Sequence, residues 1–324
     1  MAAQEPLEAR VWWSRAGARE PLAAWLDAPA DSRASARRIA ATLEELGARA
    51  LLESDPGYPP GLRELADPPR VLFVRGALPE RERAVAIVGS RAASPYGMVC
   101  ARRIARDLGI LGYWVVSGLA RGIDAAAHQG ALEAGASSVA VLPGGLDAVT
   151  PRHHQELART LCERGGLATE RAAGEPPGRA VFVQRNRLIA ALCAATLVVE
   201  AAQRSGALST AAAARRLGRP LLAVPGDIDR PTARGTHALI RNGARLCESA
   251  GDVVAALSTT GASQTQTPAS RLLAELAGRE ACSADTLAAA TGLALDETLS
   301  ALLELEWAGA ARAVPGQRWV RAGP

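Results

Sequence analysis

Two stretches decide the fold: AVAIVGSR at residues 84–91 and WVVSGLARGID at residues 114–124. Each begins as a short apolar run, which is typical of a buried strand, and then enters a loop that carries glycine and arginine. Because the carboxyl ends of parallel strands meet at one crevice, where ligands bind, we expect both loops to face the same site. Arginines beside glycines at such an edge favour phosphate as the ligand.

The alternation of apolar strand and helix continues from about residue 81 to residue 257. The predicted strands are 84–88, 113–117, 138–142, 167–170, 196–200 and 220–224. The predicted helices are 97–109, 124–134, 153–164, 186–194, 207–217 and 235–242. Continuous apolar strands alternating with helices indicate a parallel sheet covered on both faces. We therefore predict the α/β class, with an extended Rossmann-like parallel-sheet domain over residues 81–257.

Residues 1–80 form a short N-terminal region that is helical and then irregular. An amphipathic helical pattern over residues 37–46 ends at Gly47, and the turn cluster DPGYPP follows at residues 55–60. A short buried strand at 71–74 leads into the sheet domain.

The C-terminal part is predicted to be a separate winged-helix domain over residues 269–324. A polar linker without apolar periodicity, residues 258–268, precedes it and is expected to be flexible. Three helices are predicted, at 271–277, 284–290 and 296–308, followed by a β-hairpin with its turn at Pro315-Gly316.

Every basic residue of the chain is arginine, since the 37 basic residues include no lysine. A Schiff-base lysine and a P-loop lysine are therefore excluded, and no cofactor motif is present. The net charge of +4 and the pI near 9.1 favour a polyanionic partner. Aromatic residues make up only 3% of the chain, which argues against long rows of stacked bases.

The cysteines and histidines point to no metal site. The five cysteines form no CxxC pair and are typical of buried thiols in a reducing cytosol. His153, His154 and His237 lack carboxylate or cysteine partners at ligand spacing. The N-terminus has no signal-peptide pattern and no apolar run reaches the length of a membrane span, so we expect a cytoplasmic protein.

The loops after the first two predicted strands supply the first site residues. Gly89, Ser90 and Arg91 could bind phosphate through backbone amides, a hydroxyl and a guanidinium, although an ordinary βα turn would look the same. In the second loop, the site residues are Ser117, Gly118, Arg121 and Gly122. Asp124 is placed to cap the following helix. A nucleophilic role for Ser117 is disfavoured, because the G-x-S-x-G elbow is missing.

Two later segments add further site residues. Arg185, Asn186 and Arg187 are expected near a helix N-terminus, where a bound anion would offset the unfavourable interaction of two cations with the helix dipole. Phe182 could stack on a base or belong to the core. Arg204, Ser205 and Gly206 form a hydroxyl-containing helix start of the same type.

Taken together and in order, these motifs resemble the DNA-processing protein A family, also called DprA or Smf. The matching elements are DPGYP, PPRVLFVRG, VAIVGSR, SPYG, VVSGLARGIDAAAH, GALEAG, RNRLIA, VVEA, RSGALST, AVPGDID and GTHALIRNGA, and the likeness covers about residues 50–257. The winged-helix pattern of the tail fits as well. The sequence leaves open whether the N-terminal region is a truncated SAM-like module.

The resemblance implies a non-enzymatic recombination mediator with an extended Rossmann-like domain that binds single-stranded DNA and forms homodimers. It also implies loading of the recombinase RecA onto incoming single strands during natural transformation. The family's DNA-contacting motifs fall at the following positions: Gly89, Ser90, Arg91, Ser117, Gly118, Arg121, Arg185, Asn186 and Arg187.

Two other functions remain as alternatives. The sequence VLPGG at residues 141–145 is similar to half of a phosphoribohydrolase signature, but the Gly-Thr-x-x-Glu half is missing and with it the catalytic base. A sequence-specific transcription factor that uses residues 269–324 is disfavoured, because the predicted recognition helix is acidic and carries no arginine. A protein-contact or structural role suits this tail better.

Overall fold

The structure, a computed structural model, describes residues 6–15, 22–25, 27–261, 268–276, 281–307, 309–316 and 318–322. The chain divides into two compact units, Met1–Thr260 and Gly261–Pro324. Among the described residues, no helix has the length and apolar character needed to cross a membrane.

The first unit is built on one nine-stranded sheet. Its strands are β1 (Ala48–Leu52), β2 (Val71–Gly76), β3 (Ala84–Val88), β4 (Trp114–Ser117), β5 (Ser138–Val141), β6 (Gly166–Thr169), β7 (Ala195–Val198), β8 (Leu221–Ala223) and β9 (Arg245–Leu246). Their spatial order is β1-β2-β6-β5-β4-β3-β7-β8-β9. From β6 to β9 neighbouring strands are parallel, whereas β2 pairs antiparallel with β6 and β1 antiparallel with β2.

Helices cover both faces of the sheet. They are α1 (Leu7–Arg15), α2 (Ala30–Glu45), α3 (Pro60–Arg63), α4 (Pro95–Ile110), α5 (Ile123–Glu133), α6 (Gln155–Arg164), α7 (Arg179–Ala191), α8 (Ala207–Arg216), α9 (Arg234–Arg241) and α10 (Ala250–Gly261). The run AVAIV of β3 shows why the strand is apolar throughout: Val85 and Ile87 enter the core with α4 and α5, while Ala86 and Val88 enter the core with α7 and α8.

The six predicted strands of the sheet domain are confirmed, and each predicted helix is present within a few residues of its expected position, with one exception. That exception is α7, which begins at Arg179 rather than near residue 186. Of the three outer strands, β2 was predicted as a short buried strand at 71–74 that leads into the sheet domain, whereas β1 and β9 were not predicted. Strands β1 and β9 have alternating or exposed side chains and lack a continuous apolar run.

The N-terminal region is tied to the sheet by an ion pair. Arg10 on α1 is 5% exposed, and its Nη1 atom lies 2.5 Å from Asp55 Oδ2 and 2.7 Å from the carbonyl oxygen of Ala50 on β1. Val11 and Leu43 are fully buried beneath it. This region, predicted as helical and then irregular, therefore contributes helices α1, α2 and α3 and adds strands β1 and β2 to one side of the sheet.

The predicted linker begins later than expected. Residues 258–261 continue helix α10, so the prediction of a flexible segment was wrong for these four residues. Residues 262–267 of the predicted linker lie outside the described residues, and the domain boundaries given above stay a prediction.

The second unit has the winged-helix arrangement that was predicted. Its elements are α11 (Pro268–Leu276), β10 (Cys282–Ser283), α12 (Ala284–Thr291), α13 (Leu295–Trp307), β11 (Ala311–Val314) and β12 (Arg318–Arg321). The three strands form a small sheet in the order β10-β12-β11. Leu272, Leu287 and Leu302, one from each helix, are fully buried and form the core with Trp319 of the hairpin.

Candidate nucleic-acid interface

A cleft of about 600 Å³ lies at the carboxyl edge of the sheet, where the strand order reverses. From β3 the chain proceeds through β4, β5 and β6 on one side and then returns to place β7 on the other side. The loops after β3 and β7 diverge here and leave a crevice, as is typical of the ligand site in open α/β sheets. Its lining residues are Val88, Gly89, Ser90, Arg91, Ala92, Ala120, Asp124, Phe182, Val183, Arg185, Asn186, Ile189, Ala202, Arg204, Ser205, Gly206, Ala207 and Thr210.

The loop after β3 is held by backbone bonds on both sides. The Ser90 amide donates to the carbonyl oxygen of Glu200 at 2.7 Å, and the Ser90 carbonyl accepts from the Ile123 amide at 3.2 Å. A Cβ atom at Gly89 would stand 2.6 Å from Ile123 Cγ1, so only glycine fits here. Arg91 extends outward, exposed, with its guanidinium carbon 4.4 Å from the ring centre of Phe182.

Glu200 is a positioning residue that the sequence interpretation missed. Glu200 is 6% exposed, and its carboxylate Oε2 accepts from both the amide and the hydroxyl of Ser94 at 3.0 Å. The Ser94 hydroxyl oxygen in turn accepts from the Gly97 amide at 3.1 Å and caps α4. Because the Glu200 carbonyl oxygen also accepts from the Ser90 amide, one residue fixes both ends of the loop between β3 and α4.

The loop after β4 packs directly against the loop after β3. Gly122 has a φ of +77°, and a Cβ atom there would collide with the carbonyl oxygen of Ser90. Leu119 also has a positive φ, +58°, which is uncommon for a residue with a side chain. The Ser117 hydroxyl is fully buried and donates to the Ile87 carbonyl at 2.6 Å. Ser117 therefore joins two strands and faces away from ligands.

Arg185 is a buried support for this second loop. It is 3% exposed, and Nη1 donates to the carbonyl oxygens of Gly118, at 2.9 Å, and Val141. It lies in the middle of α7, so the prediction that Arg185 and Arg187 stand near a helix N-terminus was wrong. Burial lowers the pKa of Arg185 to about 10, which the charge of Asp124 partly opposes.

Asp124 lies at the cleft wall and does not cap its helix. The residue before α5 is Gly122, and no side chain accepts a bond at that cap, so this prediction was wrong. Instead Asp124 Oδ2 accepts from the Ala120 amide at 3.3 Å. Burial raises the pKa of Asp124, and the nearby Arg185 opposes the rise.

Two histidines stand behind the loop. His154 Nδ1 lies 2.9 Å from the Leu119 carbonyl oxygen and, as the hydrogen donor, supports the unusual backbone of that residue. His128 is fully buried, and its Nδ1 lies 2.7 Å from the hydroxyl of Ser138, which itself donates to a carbonyl. Burial lowers the pKa of His128 to about 3. Within the described parts of the chain, no three His, Cys, Asp or Glu side chains gather where they could hold a metal ion.

Asn186 and Arg187 leave α7 in different directions. Asn186 Nδ2 donates to Ser209 Oγ at 2.9 Å and ties α7 to α8 at the cleft. Arg187 does not line the cleft. Its Nη2 lies 2.7 Å from Glu170 and 3.6 Å from Asp67. Its guanidinium is thus neutralised by acids, and its expected contact with DNA stays a prediction.

The start of α8 completes the cleft. Ser205 Oγ accepts from the Ala207 amide at 3.3 Å, and Arg204 is exposed. Thr210, one turn further, was missed by the sequence interpretation. It is 1% exposed and lines the cleft, and its hydroxyl has no hydrogen-bond partner within the described residues. A hydroxyl one turn after a glycine-containing helix start is the signal that could have identified it.

The structure thus brings nine of the fourteen predicted site residues to the cleft wall and places five elsewhere. The nine are Gly89, Ser90, Arg91, Phe182, Arg185, Asn186, Arg204, Ser205 and Gly206. The five are Ser117, Gly118, Arg121, Gly122 and Arg187. Of these five, Arg121 is exposed, and the two glycines allow the close packing of the loop.

The wall of the cleft has an excess of positive charge. Three guanidinium groups, those of Arg91, Arg185 and Arg204, face the single carboxylate of Asp124. Arg91, Arg121 and Arg204 are exposed and have no acidic partner among the described residues. Arg159, by contrast, is an exposed arginine that is paired with Glu156 at 2.5 Å. Unpaired cations around a cleft attract anions.

Comparison with known proteins decides the family. Residues 49–258 match the family described as DNA recombination-mediator protein A. The chain belongs to this family. Residues 256–317 match the DprA winged helix domain. Protein Smf of Escherichia coli K12 is 40% identical over 276 residues, which covers 80% of this chain and 74% of that protein.

Two solved structures of this family are similar to the chain. DNA processing protein A from Streptococcus pneumoniae aligns with a TM-score of 0.62 at 33% identity, covering 78% of this chain and 87% of that one. A structure concerned with the single-stranded DNA binding mode of DNA processing protein A from Helicobacter pylori aligns with a TM-score of 0.59 at 27% identity. It covers 66% of this chain and 96% of that one.

The glycines that resemble a phosphoribohydrolase signature contact the chain itself. Gly144 and Gly145 are buried, and the Gly145 amide donates to the Glu175 carbonyl at 3.1 Å. The following Asp147 accepts from the Gly174 amide at 3.0 Å. This loop is absent from the cleft wall, so no observation favours the phosphoribohydrolase alternative.

Proposed function

We propose that this member of the family binds single-stranded DNA in the cleft between the loops after β3 and β7. The observation that carries the proposal is a cleft at the topological switch point whose wall carries Arg91 and Arg204, both exposed and without acidic partners among the described residues. Arg121, exposed on the loop after β4, adds a third such cation outside the cleft wall. Phosphates would bind these guanidinium groups. The relation to the Helicobacter pylori protein supports the same ligand.

The size and lining of the cleft favour unpaired bases. A volume of about 600 Å³ is typical of sites for a single small ligand and would hold an unstacked nucleotide. Phe182 is half-buried at the wall, and its ring is covered by Arg91. A base could take the place of this guanidinium on the ring and release Arg91 to a phosphate. Bases within a duplex cannot enter in this way.

The proposed role is that of a recombination mediator that works by binding and not by catalysis. The hydroxyl that most resembled a nucleophile, Ser117, is committed to a backbone carbonyl. Following the family, the protein would act in the cytoplasm as a homodimer that protects incoming single strands and loads RecA recombinase during natural transformation.

The test is fluorescence anisotropy of the full chain with a labelled single-stranded oligonucleotide, competed by the same sequence as a duplex. The double variant Arg91→Ala/Arg204→Ala is compared with Arg159→Ala, which removes an exposed cation that has an acidic partner. We expect preference for the single strand, a loss of affinity of at least tenfold in the double variant, and little change in the control.

Equal affinity for duplex and single strand, or equal effects of the double variant and the control, would contradict the proposal. In that case the cleft would be assigned to a small phosphate ligand. Release of free base from a nucleoside monophosphate would then be measured, since it would revive the enzymatic alternative.

A further inference from the structure

The winged-helix unit presents an apolar stripe that its own fold does not use. Leu295, Leu299 and Leu303 follow one another at intervals of four on α13, so they lie along one side of the helix. They are 46%, 43% and 51% exposed. The side of α13 that packs in the core is formed by other residues, namely Thr298, Ala301, Leu302 and Leu305, all buried.

The stripe is bordered by negative charge. Asp296 and Glu304 are exposed and, by their helical spacing, lie on the side of the leucines that faces away from the core. The whole helix, LDETLSALLELEW, contains four acidic residues and no basic one. The surface of α13 is therefore apolar along one line and anionic beside it.

This surface is unsuited to the DNA contact that helices in its position usually make. A recognition helix in the major groove approaches phosphates at close range, and affinity comes largely from cations. Among the cations of this unit whose side chains the structure describes, Arg312 and Arg318 lie on the hairpin, where both are exposed and project from the face opposite Trp319. These arginines could contact a phosphate backbone, but the phosphates would then repel the acidic residues of α13.

We propose that α13 is the docking surface for a positively charged amphipathic helix of a partner protein. The leucines would insert between apolar side chains of that helix, and its arginines or lysines would pair with Asp296 and Glu304. A second copy of this chain is a poor occupant, because antiparallel or parallel pairing of two α13 helices would bring acidic residues against each other. The proposal concerns a surface separate from the DNA cleft and does not depend on it.

The test uses the full chain and two 18-residue peptides with the same leucines at helical spacing. One carries arginine at the flanking positions and the other glutamate, and binding is measured by anisotropy. We expect the arginine peptide to bind at least tenfold more tightly than the glutamate peptide. Leu299→Ser should weaken binding of the arginine peptide at least tenfold. Leu111→Ser, which alters a leucine 50% exposed in the other unit, should not weaken it.

A charge reversal gives a second, independent measurement. Glu304→Arg should weaken binding of the arginine peptide and strengthen that of the glutamate peptide. Because Leu299 and Glu304 are both exposed, the thermal unfolding midpoint of each variant should stay within a few degrees of wild type. The affinity of each variant for single-stranded DNA should not change. Failure of the arginine peptide to bind, or binding indifferent to both substitutions, would overturn the proposal.

Two further outcomes would assign the surface to another occupant and so also overturn it. Loss of duplex DNA affinity in Leu299→Ser would identify a nucleic-acid face. A change in oligomeric state of Leu299→Ser, measured by sedimentation velocity, would identify a contact between copies of the chain.

Discussion

Removing one unpaired arginine should reduce the salt dependence of DNA binding by a defined amount. For a single strand, the slope of log K against log salt is about −0.7 for each phosphate that a cation neutralises. Three exposed arginines without acidic partners, Arg91, Arg121 and Arg204, give a wild-type slope of about −2. Raising the salt from about 50 to about 200 mM should then weaken binding about twentyfold.

Arg121→Ala should change that slope to about −1.4, because one phosphate contact is lost. Arg159→Ala is the control, since its guanidinium lies 2.5 Å from Glu156 and is already paired with an acid. Its slope should equal that of wild type within error, whatever happens to its stability. The assay is anisotropy titration at four salt concentrations. A wild-type slope near zero, or an equal reduction of the slope in both variants, would refute the reasoning.

Three further predictions concern the scaffold of the cleft. Gly122→Ala should lower the free energy of unfolding, measured by urea denaturation, by at least about 1–2 kcal/mol and weaken DNA binding, because the φ of Gly122 is +77°. Gly206→Ala is the control and should leave the free energy of unfolding nearly unchanged, because no atom lies within 4 Å of the added Cβ. Glu200→Ala should cost about 1–3 kcal/mol in the same assay and loosen the loop, while Glu200→Gln, which keeps an acceptor oxygen, should cost less; equal costs would contradict this. The low pKa of His128, about 3, means that the unfolded chain binds more protons between about pH 3 and 6.5, so stability is lost as the pH falls through that window. Wild type should lose about 2 kcal/mol more than His128→Asn between pH 7 and pH 5, and an identical loss in both would exclude this histidine as the cause.

The inner part of the sheet was predictable because its strands are buried on both faces. A run such as AVAIV at residues 84–88 has no alternation, and only a strand covered on both sides needs that composition. The edge strands have no such signal. Strand β9 has two exposed residues, and β1 carries the exposed Arg49 between the half-buried Ala48 and the buried Ala50, so the membership of both strands in the sheet depends on tertiary pairing.

The start of α7 was misplaced for a similar reason. The segment before residue 186 is rich in glycine and proline up to Gly178, and Arg179–Gln184 has no clear apolar periodicity. The helix is stabilised because Leu188 and Ile189 enter the core with residues of the sheet, and Val181 in its first turn is buried as well. This shift of seven residues moves Arg185 from a predicted helix terminus to the interior of the helix.

The position of the candidate site was predictable from the sequence, but the separate roles of its arginines were not. The motifs identify arginines at strand ends, yet they do not say which guanidinium is buried. Arg185 is held by two carbonyl oxygens, and Arg187 by two acids, whereas Arg91 and Arg204 remain exposed. The sequence could not make this distinction, since it depends on which loops meet at the sheet edge.

The same limit applies to residues that act through others. Glu200 was visible only as the last residue of an apolar run, VVE, and its role follows from the approach of Ser94, 106 positions earlier in the chain. Thr210 is identified as a cleft residue only by the structure, because its hydroxyl is buried at the cleft wall without a partner among the described residues.

The most direct test of the central claim is to locate a bound strand by photocrosslinking. The full chain is irradiated with an oligothymidylate that carries a photoreactive base, and the attached peptide is identified by mass spectrometry. We predict attachment within the cleft, at Phe182 or in the loops of residues 89–92 and 202–206, and its loss when unlabelled single strand is added in excess. Attachment confined to residues 268–322, or to surfaces of the sheet domain away from the cleft, would contradict the account.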